Sequence, residues 1–243
     1  MIQIKKTSDI AQRRFIALVV GPSGVGKTSL VRTLPEPHEN ILIISAEAGL
    51  LCLKGTNIDV VEIDPNTPTK SLEDIYEALQ TKDFKSKYKY VFIDSLTEIA
   101  QLIVAELKRD PHWGQAKNAL QLWGKFNDIM TMIIKSYRDM GDYSVIFTCL
   151  SSQDKDGLEM VDVFNLPGSQ LKSNLKAFFD LVLHYNIFVD EEGNKHRKLI
   201  TDTAESVLAK DRSGSLEAYE EADLSVIINK VLGQEYLCLR ITL

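Results

Sequence analysis

Gly21, Pro22, Ser23, Gly24, Val25, Gly26, Lys27 and Thr28 carry the G-x-x-x-x-G-K-[ST] spacing, and the chemistry that spacing serves is polyphosphate binding. Glycines let the backbone come close to phosphate oxygens and turn successive N–H groups towards them. Lys27 supplies a cation for the β- and γ-phosphates, the Thr28 hydroxyl is an oxygen ligand for Mg²⁺, and Ser29 completes the set as the next element opens. Asp94 closes an apolar run about seventy residues later, the place of an acid that holds Mg²⁺ through water. With Ser95 it also reads as the N-cap of a following helix. Glu47 directly follows a second apolar run, where a carboxylate can orient or deprotonate water; a solvent-exposed loop glutamate is the competing reading. Lys210 and Arg212, one residue apart in an extended segment, point the same way and suit a triphosphate on a neighbouring subunit; a solvated charge pair is the alternative.

The elements needed to position these residues are legible. Phe15 to Val20 is a continuous apolar stretch of the kind that forms a buried parallel strand, and Thr28 to Leu34 reads as an opening helix. Pro35 and Pro37 break the chain before a second strand, Asn40 to Ser45, and a short third, Asp59 to Ile63. Leu72, Ile75 and Leu79 recur at helical spacing over Ser71 to Thr81, with Ser71 as the expected N-cap, and Tyr88 to Asp94 is the next strand. Helices are predicted over Leu96 to Lys108 and Ala119 to Asp139, and a strand over Tyr143 to Cys149. Ser151 to Ser169 reads as a charged, glycine-containing loop that turns more than once. Asp180 to Val189, a turn at Asp190 to Asn194, and Lys198 to Thr201 form a hairpin pattern. The expectation is an α/β fold with a mainly parallel central sheet flanked by helices, extended by antiparallel C-terminal hairpin strands, in one domain over residues 1–243.

Bulk properties bound the function. Hydrophobic residues make up 44% of 243, enough for a sizeable core, and the net charge of −6 argues against a duplex-DNA binder working by general basicity. Cys52, Cys149 and Cys238 are odd in number and far apart, so neither a disulfide framework nor a zinc site is expected. The N-terminus lacks a signal-peptide core and no apolar run approaches a membrane span, so a cytoplasmic location and no membrane partner are the expectations.

The glycine loop, Glu47 after the second strand, the Val91 to Ser95 strand and the Ala209 to Gly214 segment together resemble the RecA-type P-loop ATPase core, over most of the chain. The compact length without an added N- or C-terminal domain, and the stretch from Leu166 to Leu216, resemble phage-encoded P-loop ATPases, including the Sak-type single-strand annealing proteins. That resemblance implies ATP and Mg²⁺ as cofactors and DNA-stimulated hydrolysis. It also implies single-stranded DNA binding, and annealing during phage recombination in a bacterial host cytoplasm, with a single-strand-binding protein as a further partner. It implies a homo-oligomer, ring or filament, in which Lys210 and Arg212 act across the subunit interface while Lys27 and Glu47 serve catalysis in their own subunit. RecA relatives carry a polar sensor at the end of the strand that here reads Ile146 to Leu150; this chain has Leu150 there, with Ser151 or Gln153 as substitutes. By position, two loops would hold DNA, with Arg109, Trp113, Lys117 and Lys125 in the first and Lys172 and Lys176 in the second, cations for phosphates and an aromatic for stacking. Packing of Trp113 on the core is an equal reading, and the second loop also holds Asp154, Asp156, Glu159 and Asp162.

A GTPase is disfavoured: Asn194 and Asn229 each begin an N-K pair that fails the guanine-specific N-K-x-D at its fourth position. The Arg109 region is too sparse in arginine for the lid of a small-molecule kinase. A regulatory or helicase-loader-like RecA-fold ATPase, acting through protein partners, remains open and accords with the acidic charge.

Overall fold

A computed structural model describes residues 14–47, 49–113, 119–156, 159–202 and 207–233. In chain order the sheet strands are β1 (Ile16–Gly21), β2 (Ile41–Ser45), β3 (Asp59–Glu62), β4 (Tyr90–Asp94), β5 (Ser144–Asp156), β6 (Glu159–Phe164), β7 (Leu181–Val189), β8 (Lys195–Ile200), β9 (Lys210–Asp211) and β10 (Tyr219–Glu221). The helices are α1 (Pro68–Leu79), α2 (Lys82–Lys87), α3 (Leu96–Arg109), α4 (Ala119–Arg138), α5 (Ser169–Leu175) and α6 (Leu224–Leu232).

The strand order is β10-β8-β7-β1-β5-β4-β2-β3. The run from β7 to β3 is parallel throughout, and β8, β9 and β10 add antiparallel pairs at the C-terminal side. This is the expected α/β arrangement, a mainly parallel sheet flanked by helices with antiparallel C-terminal strands, in which β5 separates the strand that leads into the glycine loop from the strand that ends on Asp94. The apolar runs of β1, β2 and β4 have the continuous character that burial on both faces demands. Leu18 and Val20 pack on one face with α1, α3, α4 and α5, while Ala17 and Val19 pack on the other with Leu30, Val31 and α6. Among the described residues, no helix is long and apolar enough to cross a membrane.

Three local expectations are corrected. The segment after the glycine loop is a tight 3₁₀ helix, Thr28–Thr33, because its bonds run to the third residue and Pro35 follows at once. The first long helix starts at Pro68, not after Ser71: proline suits the first helical position, and the Ser71 hydroxyl instead accepts from the Asp64 N–H at 3.3 Å. The charged segment after Leu150 is not an irregular loop. β5 runs on to Asp156 and pairs antiparallel with β6 from Ser151↔Phe164 to Asp156↔Glu159, with the connecting residues 157 and 158 outside the described set. A polar two-stranded ribbon is marginal alone; here it prolongs a strand already fixed in the sheet, so it needs no apolar face of its own. Asp162 Oδ2 lies 3.5 Å from Nε2 of the buried His184 on β7, tying the ribbon to the sheet.

Candidate functional site

The parallel strands end together at one edge of the sheet, and the chemically competent residues follow those ends. The glycine loop continues β1, Glu47 follows β2, and Asp94 is the last residue of β4. Register fixes their neighbourhood: Ser45 pairs with Asp94 across β2 and β4, and Gly21 with Leu150 across β1 and β5. Ser23, Gly24, Gly26, Lys27, Thr28, Ser29, Glu47, Asp94, Cys52 and Leu150 line one cleft of about 240 Å³.

Gly21 is there for space. A Cβ at this position would sit 2.3 Å from the carbonyl oxygen of Tyr185 on β7. Gly24 and Gly26 hold φ of 75° and 109°, backbone that other residues rarely adopt.

Lys27 is 8% exposed, and its ammonium donates to the carbonyls of Gly21 at 2.9 Å and Pro22 at 2.8 Å. Burial pushes its pKa below the ordinary lysine value, and the negative charge of Asp94 is the main influence opposing that shift. The Thr28 hydroxyl donates to Asp94 Oδ2 at 2.6 Å, so the expected Mg²⁺ ligand and the acid expected to hold the ion through water already stand side by side. Glu47 is half-buried, and its Oε1 accepts from the Ser95 hydroxyl at 2.6 Å. Ser95 also accepts from the Glu98 N–H at 3.3 Å, which makes it the N-cap of α3 as well as the partner of Glu47.

A hydroxyl oxygen is a hard ligand of the type Mg²⁺ takes, and a carboxylate beside it suits a water bound to the ion, which leaves the remaining octahedral positions to water and phosphate oxygens. Among the described residues no group of three His, Cys, Asp or Glu side chains forms an all-protein metal cage. The donor set therefore fits a nucleotide-associated Mg²⁺.

One member of the site escaped the sequence reading. Thr148 on β5 is fully buried, and its hydroxyl donates to Asp94 Oδ1 at 2.5 Å, so both oxygens of that carboxylate are held. Its signal was a hydroxyl inside the apolar strand, which propensity alone ascribes to β-branching. Leu150 presents no polar atom from its side chain at the cleft; its N–H donates to the Thr97 hydroxyl at 2.9 Å. Gln153 lies further along the ribbon, opposite Asp162.

Lys210 and Arg212 are not gathered into this cleft. β9 pairs with Leu181 and Val182 at the amino end of β7, and the Lys210 ammonium donates to the carbonyls of Lys176 at 3.0 Å and Phe179 at 2.5 Å. Arg212 Nη1 pairs with Asp180 Oδ1 at 2.9 Å and remains exposed.

The expected DNA residues are dispersed. Arg109 donates to the carbonyls of Pro65 and Asn66 at 3.2 and 3.0 Å, Trp113 packs half-buried on the larger core, and Lys125 is exposed on α4. Lys172 lies on α5, and Lys176 directly follows it, next to Lys210. Lys117 lies outside the described residues.

A family model described as an AAA domain matches residues 13–213. The phosphate import ATP-binding protein PstB of Rubrobacter xylanophilus is 24% identical over 124 residues, 48% of this chain and 43% of its own length. A prototypical ATPase from the type III secretion system of pathogenic bacteria covers 92% of this chain and 60% of its own at 13% identity and a TM-score of 0.44. The secretion ATPase EscN of enteropathogenic E. coli, solved with its central stalk EscO, covers 71% of this chain and 42% of its own at 15% identity and a TM-score of 0.43. The chain thus spans less than half the length of the PstB relative.

Proposed function

The chain belongs to the AAA-domain family and is a P-loop NTPase, and we propose that it binds ATP with Mg²⁺ and hydrolyses it. The observation that carries this reading is the single cleft in which Thr28 and Asp94 stand 2.6 Å apart and which Lys27 and Glu47 also line. Residues 21–29 cradle the polyphosphate, and Lys27 exchanges its two carbonyl acceptors for phosphate oxygens. Thr28 would ligate Mg²⁺ and Asp94 would hold it through water. When bound, Mg²⁺ supplies charge neutralisation on the phosphate oxygens. Glu47 orients the attacking water and takes its proton, while the Ser95 hydroxyl holds its carboxylate.

The wider reading is a recombination ATPase that assembles into a homo-oligomer, binds single-stranded DNA and promotes annealing, with a single-strand-binding protein as partner. It rests on the resemblance in sequence and on Arg212, whose exposed guanidinium lies away from its own cleft and so suits a neighbour's nucleotide. The Asp180 pair must open for that. A second reading, a regulatory ATPase acting through protein partners, is favoured by a different observation. The second expected DNA loop is a folded ribbon carrying Asp154 and Asp162, and the candidate cations are scattered.

Two measurements test this. In an ATP turnover assay, Lys27→Ala loses nucleotide binding, whereas Glu47→Gln keeps binding and loses turnover; a Glu47→Gln protein that hydrolyses ATP at the wild-type rate removes Glu47 from catalysis. Titration of a fluorescent single-stranded oligonucleotide with ATP, in a salt series and against duplex, separates the two wider readings. Salt-sensitive binding that prefers single strands supports recombination. Absence of binding by a protein that still binds ATP supports the regulatory reading.

A further inference from the structure

β8 delivers an arginine to the outer side of the glycine loop. Arg197, opposite Ile187 on β7, donates from Nε to the carbonyl oxygen of Val25 at 3.1 Å, across 172 residues of sequence. The same hairpin wall meets the next residue: a Cβ built on Gly26 would lie 3.6 Å from the Tyr185 hydroxyl and 3.8 Å from Arg197 Nε. The Val25–Gly26 peptide is trans, so its C=O and N–H point in opposite directions. Holding the carbonyl on the hairpin side therefore directs the Gly26 N–H to the opposite side, away from the hairpin. Gly26, at φ 109°, is a residue for which the flipped peptide is also accessible, and the flip would present a carbonyl oxygen to an incoming phosphate.

We propose that Arg197 is a positioning residue of the polyphosphate site, fixing the Val25–Gly26 peptide with its N–H available to a phosphate oxygen. The proposal rests on the nucleotide-binding reading above and adds to it an anchor in the same chain, on a strand that neither loop residue touches in sequence. A charge-assisted donor is among the stronger single anchors available to one carbonyl. Removing it lowers the fraction of chains with a competent loop, and apparent affinity falls by that fraction: a competent population of about one tenth means about tenfold weaker binding.

The test is calorimetric titration of wild type, Arg197→Ala and Arg197→Lys with ADP and, separately, with tripolyphosphate, which has neither base nor ribose. The expected result is about tenfold weaker binding of both by Arg197→Ala, substantial recovery by Arg197→Lys, and a melting temperature of the unliganded protein lowered by no more than about 6 °C. In turnover, KM for ATP rises by a similar factor with kcat held. Arg197→Met, which keeps the stem and lacks the donor, stands in if the alanine variant misfolds. Wild-type affinity in the donor-free variants overturns the proposal. So does weaker ADP binding with unchanged tripolyphosphate binding, which would assign Arg197 to the base or ribose. If wild type binds neither ligand, the nucleotide reading itself fails and this inference falls with it.

Discussion

Thr148→Val removes one oxygen and leaves shape and strand preference nearly unchanged, so its effect isolates that hydroxyl, whose other neighbour is the Ile93 carbonyl at 3.4 Å. Thr148 is fully buried and Asp94 is 3% exposed, with the hydroxyl donating to Oδ1 at 2.5 Å. β5 is held between β1 and β4, which leaves little freedom to bring in water or another donor. A buried carboxylate oxygen that loses its donor costs about 1.5–3 kcal/mol. For a chain of 243 residues each kcal/mol lowers Tm by about 2–4 °C, so the variant should melt about 3–12 °C below wild type. Thr148→Ser, which restores the hydroxyl, should recover most of that. A second readout is specific to the site: with one oxygen released the carboxylate can turn, so ADP binding should weaken in Mg²⁺ and stay unchanged in EDTA. Calorimetry under both conditions, beside thermal unfolding followed by circular dichroism, measures the two effects. A Thr148→Val protein that melts within about 1 °C of wild type would refute the claim that this bond supports Asp94.

Other consequences can be measured separately. Gly21→Ala places a methyl group 2.3 Å from the Tyr185 carbonyl, so β1 and β7 must separate; overpacking of this kind should cost about 3 kcal/mol, and unchanged denaturant stability would contradict it. Burial lowers the Lys27 pKa, so its charged form is lost at a lower pH than an exposed lysine's, and ADP affinity should fall as pH rises towards 10.5. The sign for stability is opposite: between the lowered value and 10.5 the unfolded chain binds more protons at this group, so its unfavourable contribution diminishes as pH rises. Constant ADP affinity from about pH 7 to about pH 10 would exclude this role for Lys27. In a Cys238→Ser background, Cys52 in the cleft should react with a thiol reagent and be protected by ADP. Cys149, fully buried with its thiol pushed up to about 12, should stay unmodified. Labelling of Cys52 that ADP does not slow would place the nucleotide elsewhere.

The sequence by itself determined what depends on near neighbours. Residues 21–28 specify the glycine loop because backbone conformation and donor spacing are local properties, and the apolar runs ending at Val20, Ser45 and Asp94 specify buried parallel strands because both faces must be covered. It misjudged segments whose local signal is shared between states. Ser71 looked like a cap because serine suits that position, whereas Pro68 opens the helix one turn earlier, and the polar residues after Leu150 looked like a loop because a ribbon prolonging a fixed strand needs no apolar alternation.

The tertiary structure alone decided how the acids are held and which cations share the cleft. Thr148 reaches Asp94 only because β5 lies beside β4, Ser95 reaches Glu47 only because β2 and β4 end in register, and Arg197 reaches Val25 only because the β7–β8 hairpin lies against β1. The same topology puts Lys210 and Arg212 beside the amino end of β7, away from the glycine loop of their own chain. These contacts join residues tens to nearly two hundred positions apart, and no periodicity or propensity carries that information. It comes from the order in which strands enter the sheet, which is set by how the two faces of the whole core are buried.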